Sequence, residues 1–539
     1  MHFMKFYSKL FIAISLLFSN AALAQTDTTK IPQNWHTLDL QTNGYFGISL
    51  DKAYTLVKAK KSKTVLVAVI DSGIDTAQVD LKGILWTNPK EIPGNGKDDD
   101  KNGYIDDMHG WNFLGGKDGK TIIKETSEEV RVYAQLKEKY AVTTNININQ
   151  PEYKEWLRLK ALRDTTVNKA QTELDNLKPF ANALLGSSFY LYRELKIDTA
   201  LSFNLSDIKK IQSSNDTLKQ ASMLWTSIFS RDPNTNSKAV IKEILDYVDK
   251  LNRDIDPDLG VRKRIIGDNW EDNANPYYGN NLLKHSDASH GTGVSGLIGA
   301  NRSNNYGIKG IANNVKIMMI KAVPDGDEYD KDVANAIRYA VNNGAKIINL
   351  SFGKKISPQK EWVDAAFKYA AAKNVLIVQA AGNEGESLDS LAKFPNDRFK
   401  DGSSTDAANV INVGASSAKK NENLAADFTN YSKTDVDVFA PGAQVTSINL
   451  DKELLTANGT SFASPITAGV AALLLSYYPK LSAVQLKNII LKSTVKPVGL
   501  QVNRPGKAGE KVDFSSLSKT GGVVNAYEAL RMAGGMKGR

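Results

Sequence analysis

Three short segments hold residue types that together can carry out nucleophilic acyl transfer. Asp71-Ser72-Gly73 ends an apolar run, His290 opens His-Gly-Thr-Gly-Val-Ser-Gly-Leu-Ile-Gly-Ala300, and Ser461 lies within Gly459-Thr-Ser-Phe-Ala-Ser-Pro465. A serine hydroxyl attacks a carbonyl at neutral pH only when a base takes its proton, and the base needs a third group to hold its tautomer. Taken singly, each residue has a plainer reading. A serine ahead of a helix is usually an N-cap, and a lone histidine is more often packed than reactive. The combination is more specific, because the small-residue stretch Ile466–Leu475 puts Ser461 at a helix N-terminus, where developing negative charge is favoured. The choice of base is also narrow: apart from His2, the chain has only His36, His109, His285 and His290.

A second group of residues points to a cation. Asp98, Asp100 and Asn102 occupy positions 1, 3 and 5 of an EF-hand-like loop, with Gly103 at 6 and Tyr104 at 7, where such loops use a main-chain oxygen. Position 12 is His109 instead of a bidentate Glu, so Asp106 or Asp107 would have to complete the shell. Carboxylates crowded around Asn102-Gly103 repel one another unless a cation sits among them. Hard oxygen donors favour Ca²⁺ in a structural role, and no His-Glu-x-x-His supports a zinc peptidase. Nothing suggests an organic cofactor.

These residues need a scaffold, and the chain supplies one. Thr64-Val-Leu-Val-Ala-Val-Ile70 reads as a strand buried on both faces. Similar runs recur at Val315–Ile320, Lys346–Leu350, Val375–Val378 and Val410–Val413, with helix-like stretches at Asp332–Asn343 and Gln359–Lys373. Alternating strands and helices imply an α/β fold with a parallel sheet, whose ligands bind at the carboxyl ends of the strands, where Asp71 and the Ser351–Gly353 turn fall. Between 117 and 279 the pattern changes. Val167, Ala170, Leu174 and Leu177 step by three and four residues, as do Val240, Ile244, Val248 and Leu251, so a mainly helical insertion is expected there. The expected parts are a leader at 1–24, a first catalytic part at 25–116, the insertion at 117–279 and a second catalytic part at 280–539.

The three segments resemble the motifs of the subtilisin-like serine peptidases, or subtilases: Asp-(Ser/Thr)-Gly, then His-Gly-Thr, then Gly-Thr-Ser-x-Ala-(Ser/Ala)-Pro, in the chain order known for subtilisin. Ala380-Ala-Gly-Asn-Glu-Gly385 is similar to the segment with the oxyanion-hole asparagine, and Asn349-Leu-Ser-Phe-Gly353 to the substrate-binding strand. Phe439-Ala-Pro-Gly442 and Gly522-Val-Val-Asn525 also look like family signatures. The resemblance covers roughly residues 31–116 and 280–530, and it implies a three-layer α/β/α sandwich with a parallel central sheet. It further implies that Ser461 is the nucleophile, His290 the base, Asp71 the group that holds the imidazolium and Asn383 the oxyanion donor. Ser351, Phe352 and Gly353 would pair main chain to main chain with a protein or peptide substrate. Gly293 and Ser295 depart from the usual His and Ala, and neither is a catalytic group. The same resemblance sets Lys393, before Phe394-Pro395, at the base of the pocket for the side chain preceding the cleaved bond, with Glu384 at its rim. A lysine there would favour acidic side chains. The insertion is expected to gate the cleft or to assist folding.

Export is expected from the N-terminus, where Lys5 and Lys9 precede the apolar run Leu10–Phe18 and then Ala22-Leu-Ala24, a secretory pattern too short to span a bilayer. Cleavage would leave Gln25 first, with no membrane span in the mature chain and a periplasmic or extracellular destination. The chain has no cysteine, so stability must come from packing or bound ions. A net charge of +9 over 539 residues, with basic and acidic residues interspersed, gives no stripe for nucleic acid. Two rival readings are weaker. A catalytically silent binding protein would be free to lose Asp71, His290, Asn383 or Ser461, and all four are present. An α/β-hydrolase esterase needs Gly-x-Ser-x-Gly, which Gly293-Val-Ser295-Gly-Leu297 breaks.

Overall fold

The computed structural model describes residues 31–140, 147–231 and 235–536, so the expected leader and Gln25 lie outside the described residues. The chain divides into two compact units, one of residues 130–258 and one of residues 29–129 with 259–539.

The larger unit is built on seven strands: β1 (Val65–Asp71), β2 (Gly110–Asn112), β3 (Val315–Lys321), β4 (Ile347–Leu350), β5 (Leu376–Ala380), β6 (Val410–Ser416) and β7 (Val438–Pro441). They form one sheet in the order β2-β3-β1-β4-β5-β6-β7, and every pairing is parallel. The pleat sorts their apolar residues onto two faces. Val67 and Val69 pack into one core with the helices Ser289–Gly299 and Thr460–Tyr477, while Ala68 and Ile70 pack into another with Asp330–Asn342 and Lys360–Ala372. The result is an α/β/α sandwich. Ile317, Ile320, Ile347 and Ile377 are completely buried, and each such side chain contributes about 1.5–3 kcal/mol by leaving water. Register sets the site: Asp71 lies opposite Lys321, and Ile70 opposite Leu350, so β1, β3 and β4 end side by side.

Among the described residues, Thr460–Tyr477 is the one helix long and apolar enough to cross a membrane, yet 89% of it is buried. It runs through the core against β4, β5, β6 and β7. Its small residues permit that close packing; a Cβ on Gly469 would lie 2.8 Å from the Cβ of Ile311.

In the smaller unit, the 45-residue helix Pro151–Leu195 packs with Asp216–Phe229 and Ser237–Ile255. Leu174, Leu177, Leu184, Trp225, Phe229, Val240, Ile244 and Leu251 share its core. The side chains of Asn215 and Asn236 cap the second and third of these helices by accepting N–H groups that have no partner within the helix. Residues 117–129 and 259–279 cluster with the sheet unit instead. One tie of the second stretch is ionic: buried Arg262 pairs with Asp332 of the helix Asp330–Asn342 at 2.8 Å.

Candidate active site

Asp71 is the last residue of β1, and its chain turns at once through Gly73, which has φ +115°. The Asp71 carboxylate oxygen Oδ1 accepts from the Ser72 N–H at 2.7 Å and meets Nδ1 of His290 at 2.7 Å. That contact assigns the proton of the neutral imidazole to Nδ1 and leaves Nε2 as the acceptor. His290 stands in the first turn of Ser289–Gly299, and the residue after it has to be glycine. A Cβ on Gly291 would lie 2.1 Å from the Gly73 carbonyl and 3.2 Å from Asp71. The His290 side chain is 40% exposed and the Asp71 side chain only 2%, so the imidazole is open to a ligand while the carboxylate is shielded. Burial works to lower the His290 pKa, but the charge and hydrogen bond of Asp71 outweigh it, and the net value is raised.

Ser461 is the second residue of Thr460–Tyr477 and is half-buried. Its neighbour Phe462 stands edge-on to the His290 ring, with centroids 6.2 Å apart, so this helix start lies beside the imidazole. The Ser461 carbonyl accepts from the Ser351 hydroxyl at 2.9 Å, which fastens the Ser351–Gly353 segment to the same helix start. Exposed Asn383 follows β5. Its side-chain oxygen accepts from the Thr460 N–H at 2.8 Å and the Thr460 hydroxyl at 2.9 Å. Its NH₂ group is thereby turned outward as a donor. The structure therefore gathers Asp71, His290, Asn383, Ser461 and Ser351–Gly353 at one end of the sheet.

Several supporting residues escape sequence reading. Asn349, fully buried at the end of β4, donates to Ser351 Oγ at 2.9 Å and accepts from Ser464 at 2.8 Å, coupling the strand to the helix. Lys321 is completely buried, donates to the Ser72 carbonyl at 2.6 Å and pairs with Asp287. A lysine closing the apolar run of β3 is a detectable signal, since a buried ammonium needs partners. Thr460 stands within the Gly459–Pro465 motif, which marks the segment without giving this residue a role.

In the acidic loop the structure brings two of the expected residues, Asp98 and Asp100, together with Glu91. The carboxylates with oxygens within 4.8 Å of one another are Glu91, Asp98 and Asp100. Asp106 accepts from the N–H groups of Asn95 at 3.2 Å and Gly96 at 2.8 Å, just as Glu91 accepts from those of Asp100 and Asp106 and Asp98 from those of Asn102 and Gly103. Asp107 is buried against Asn88, Asn102 and Tyr339, and burial pushes its pKa up to about 6. The Asn102 oxygen accepts from the Tyr104 N–H at 2.8 Å, and the Tyr104 ring stacks edge-on against Trp111 and Tyr339. Three clustered carboxylates suit a hard divalent cation. Glu91 lies seven residues before Asp98, outside the loop pattern that draws attention to the run.

A carboxylate-held imidazole, a helix-terminal serine and an exposed amide thus stand together at the carboxyl end of a parallel sheet in an α/β scaffold. The chain belongs to the subtilase family, whose model matches residues 62–514. It is 36% identical over 218 residues to subtilisin DY of Bacillus licheniformis, covering 39% of this chain and 71% of that protein. It is 34% identical over 251 residues to the cell wall-associated protease of Bacillus subtilis (strain 168), covering 46% of this chain and 26% of that protein. With the thermophilic serine proteinase of Bacillus sp. (strain AK1) it shares 38% identity over 189 residues, 35% of this chain and 43% of that protein. The chain thus spans less than half the length of the latter two relatives.

Proposed function

We propose that this chain is an exported serine endopeptidase that cleaves peptide bonds through an acyl-enzyme intermediate. The observation that carries the reading is the 2.7 Å contact between His290 Nδ1 and Asp71, which frees Nε2 to accept a proton. Ser461 Oγ attacks the scissile carbonyl carbon as Nε2 takes its proton, and the resulting imidazolium is stabilised by Asp71. The tetrahedral oxyanion is met by the Asn383 NH₂ and the Ser461 N–H at the positive end of its helix. His290 then passes its proton to the leaving amine and later takes one from the water that opens the ester. Ser351, Phe352 and Gly353 hold the substrate in extended form, which selects loops and unfolded segments over folded domains.

Glu91, Asp98 and Asp100 would hold a Ca²⁺ ion, which stabilises the loop and takes no part in the chemistry. The export assignment rests on residues 1–24 and agrees with relatives named as cell wall-associated. The test is hydrolysis of an unfolded protein substrate by the purified chain, compared with Ser461→Ala. Cleavage lost in the variant supports the reading; equal cleavage by both, or by neither when both are folded, overturns it.

A further inference from the structure

Lys393 is a half-buried cation that the steps above leave unused. Its Nζ donates to the carbonyls of Ala380 and, at 3.4 Å, Phe352. Those carbonyls belong to the two segments flanking Ser461: Ser351 is bonded to the Ser461 carbonyl, and Asn383 to Thr460. Two glycines show how closely the lysine fills the slot between them. A Cβ on Gly353 would lie 2.5 Å from Lys393 Cε and 2.8 Å from Nζ, and one on Gly382 would lie 3.0 Å from Cδ. An extended peptide along Ser351–Gly353, with its reacting carbonyl at Asn383, directs the side chain of that residue toward the same slot.

The charge in that slot is felt by Glu384 and Glu328 but is paired by neither. Among the described residues no carboxylate pairs with Lys393, and the nearby Glu384 is instead held by the Asn430 amide at 2.5 Å. Burial pulls the Lys393 pKa down to about 8, against the opposing pull of Glu384 and Glu328, so the ammonium keeps its proton at neutral pH. Of its three N–H donors, two are used on carbonyls and one remains. An adjoining cavity of about 230 Å³ leaves room for a side chain; Gly353, Lys354, Lys355 and Lys393 line it together with Glu129, Asp327 and Glu384. A half-buried ammonium whose hydrogen bonds go only to neutral carbonyls gains from an anion.

We infer that Lys393 selects an acidic side chain, Glu or Asp, at the substrate residue whose carbonyl is attacked. This rests on the peptidase reading above. The test is kcat/KM for peptides that differ only at that residue, carrying Glu, Asp, Gln, Ala, Leu or Lys, with active enzyme counted by fluorophosphonate labelling. Glu and Gln share a shape, so their ratio isolates the charge. Glu is expected to exceed Gln and Leu by about tenfold or more; Lys393→Met should abolish that ratio, and Lys393→Arg should keep much of it. Equal rates for Glu and Gln, or a preference for Ala, Leu or Lys, in enzyme that labels at Ser461 would overturn this inference alone. The unmodified enzyme suffices for that comparison should Lys393→Met not fold. Absence of label from folded enzyme would instead bring down the peptidase reading.

Discussion

The Asn383 side-chain oxygen accepts two hydrogen bonds from a single residue, Thr460, at 2.8 Å from its N–H and 2.9 Å from its hydroxyl. The amide is thus oriented by the residue that precedes Ser461 in the same helix. Asn383→Ala should lower kcat by about 10²–10³ with little change in KM, a magnitude measured for loss of such a donor in subtilisin. Thr460→Val keeps the N–H and loses only the hydroxyl, so its effect should be smaller. Steady-state kinetics of the two variants check both the role and the ranking.

With His290 as the base, catalysis would require its neutral form, and Asp71 raises its pKa above the usual histidine value of about 6.5. A raised pKa means that the imidazole is already protonated at a pH where an isolated histidine is still mostly neutral. A profile of kcat/KM against pH should therefore fall on the acid side with an inflection above about 6.5. Asp71→Asn removes the charge that raises it, so the residual activity should show its inflection at lower pH. A flat profile down to pH 4.5 would remove His290 from the mechanism.

If Glu91, Asp98 and Asp100 hold calcium, the ion stabilises the folded chain by mass action, about 2.7 kcal/mol when its concentration is a hundred times Kd. Chelation should lower Tm, and calcium should restore it. Glu91→Gln should weaken that response although the residue lies outside the Asp-rich run; Asp106→Asn should leave the calcium response in place. Thermal melts with and without chelator separate these outcomes.

Lys354 follows the substrate segment directly and is buried between Glu128 at 2.6 Å and Asp330 at 2.8 Å. Removing one partner of a buried ion pair leaves a charge uncompensated, at a cost of about 3–5 kcal/mol. Lys354→Met deprives both carboxylates of their cation and should therefore lower stability strongly; Glu128→Gln leaves Lys354 paired with Asp330 and should cost less. Denaturant unfolding midpoints give the ranking.

How much of this was legible in the sequence differs from element to element. β1, β3, β4, β5 and β6 follow from β-branched apolar runs, since a strand buried on both faces needs little polar alternation. β2 does not, because Gly110-Trp-Asn112 is three residues long and carries no period. The motif residues were equally readable, as acyl transfer restricts which side chains can act. Their supports were not. Thr460, Asn349 and Lys321 matter through contacts with residues distant in sequence, and nothing in their own neighbourhoods reveals the partner. Glu91 shows the same limit: the loop pattern starts at Asp98, whereas the fold brings a carboxylate from upstream to the group.

The central claim is that Ser461 is an activated nucleophile with His290 as its base. Fluorophosphonate labelling of the purified chain, read by mass spectrometry of the modified peptide, tests it most directly. The expected result is one label on Ser461, lost in His290→Ala. Folded protein that takes no label, or takes it at another serine, would contradict the claim.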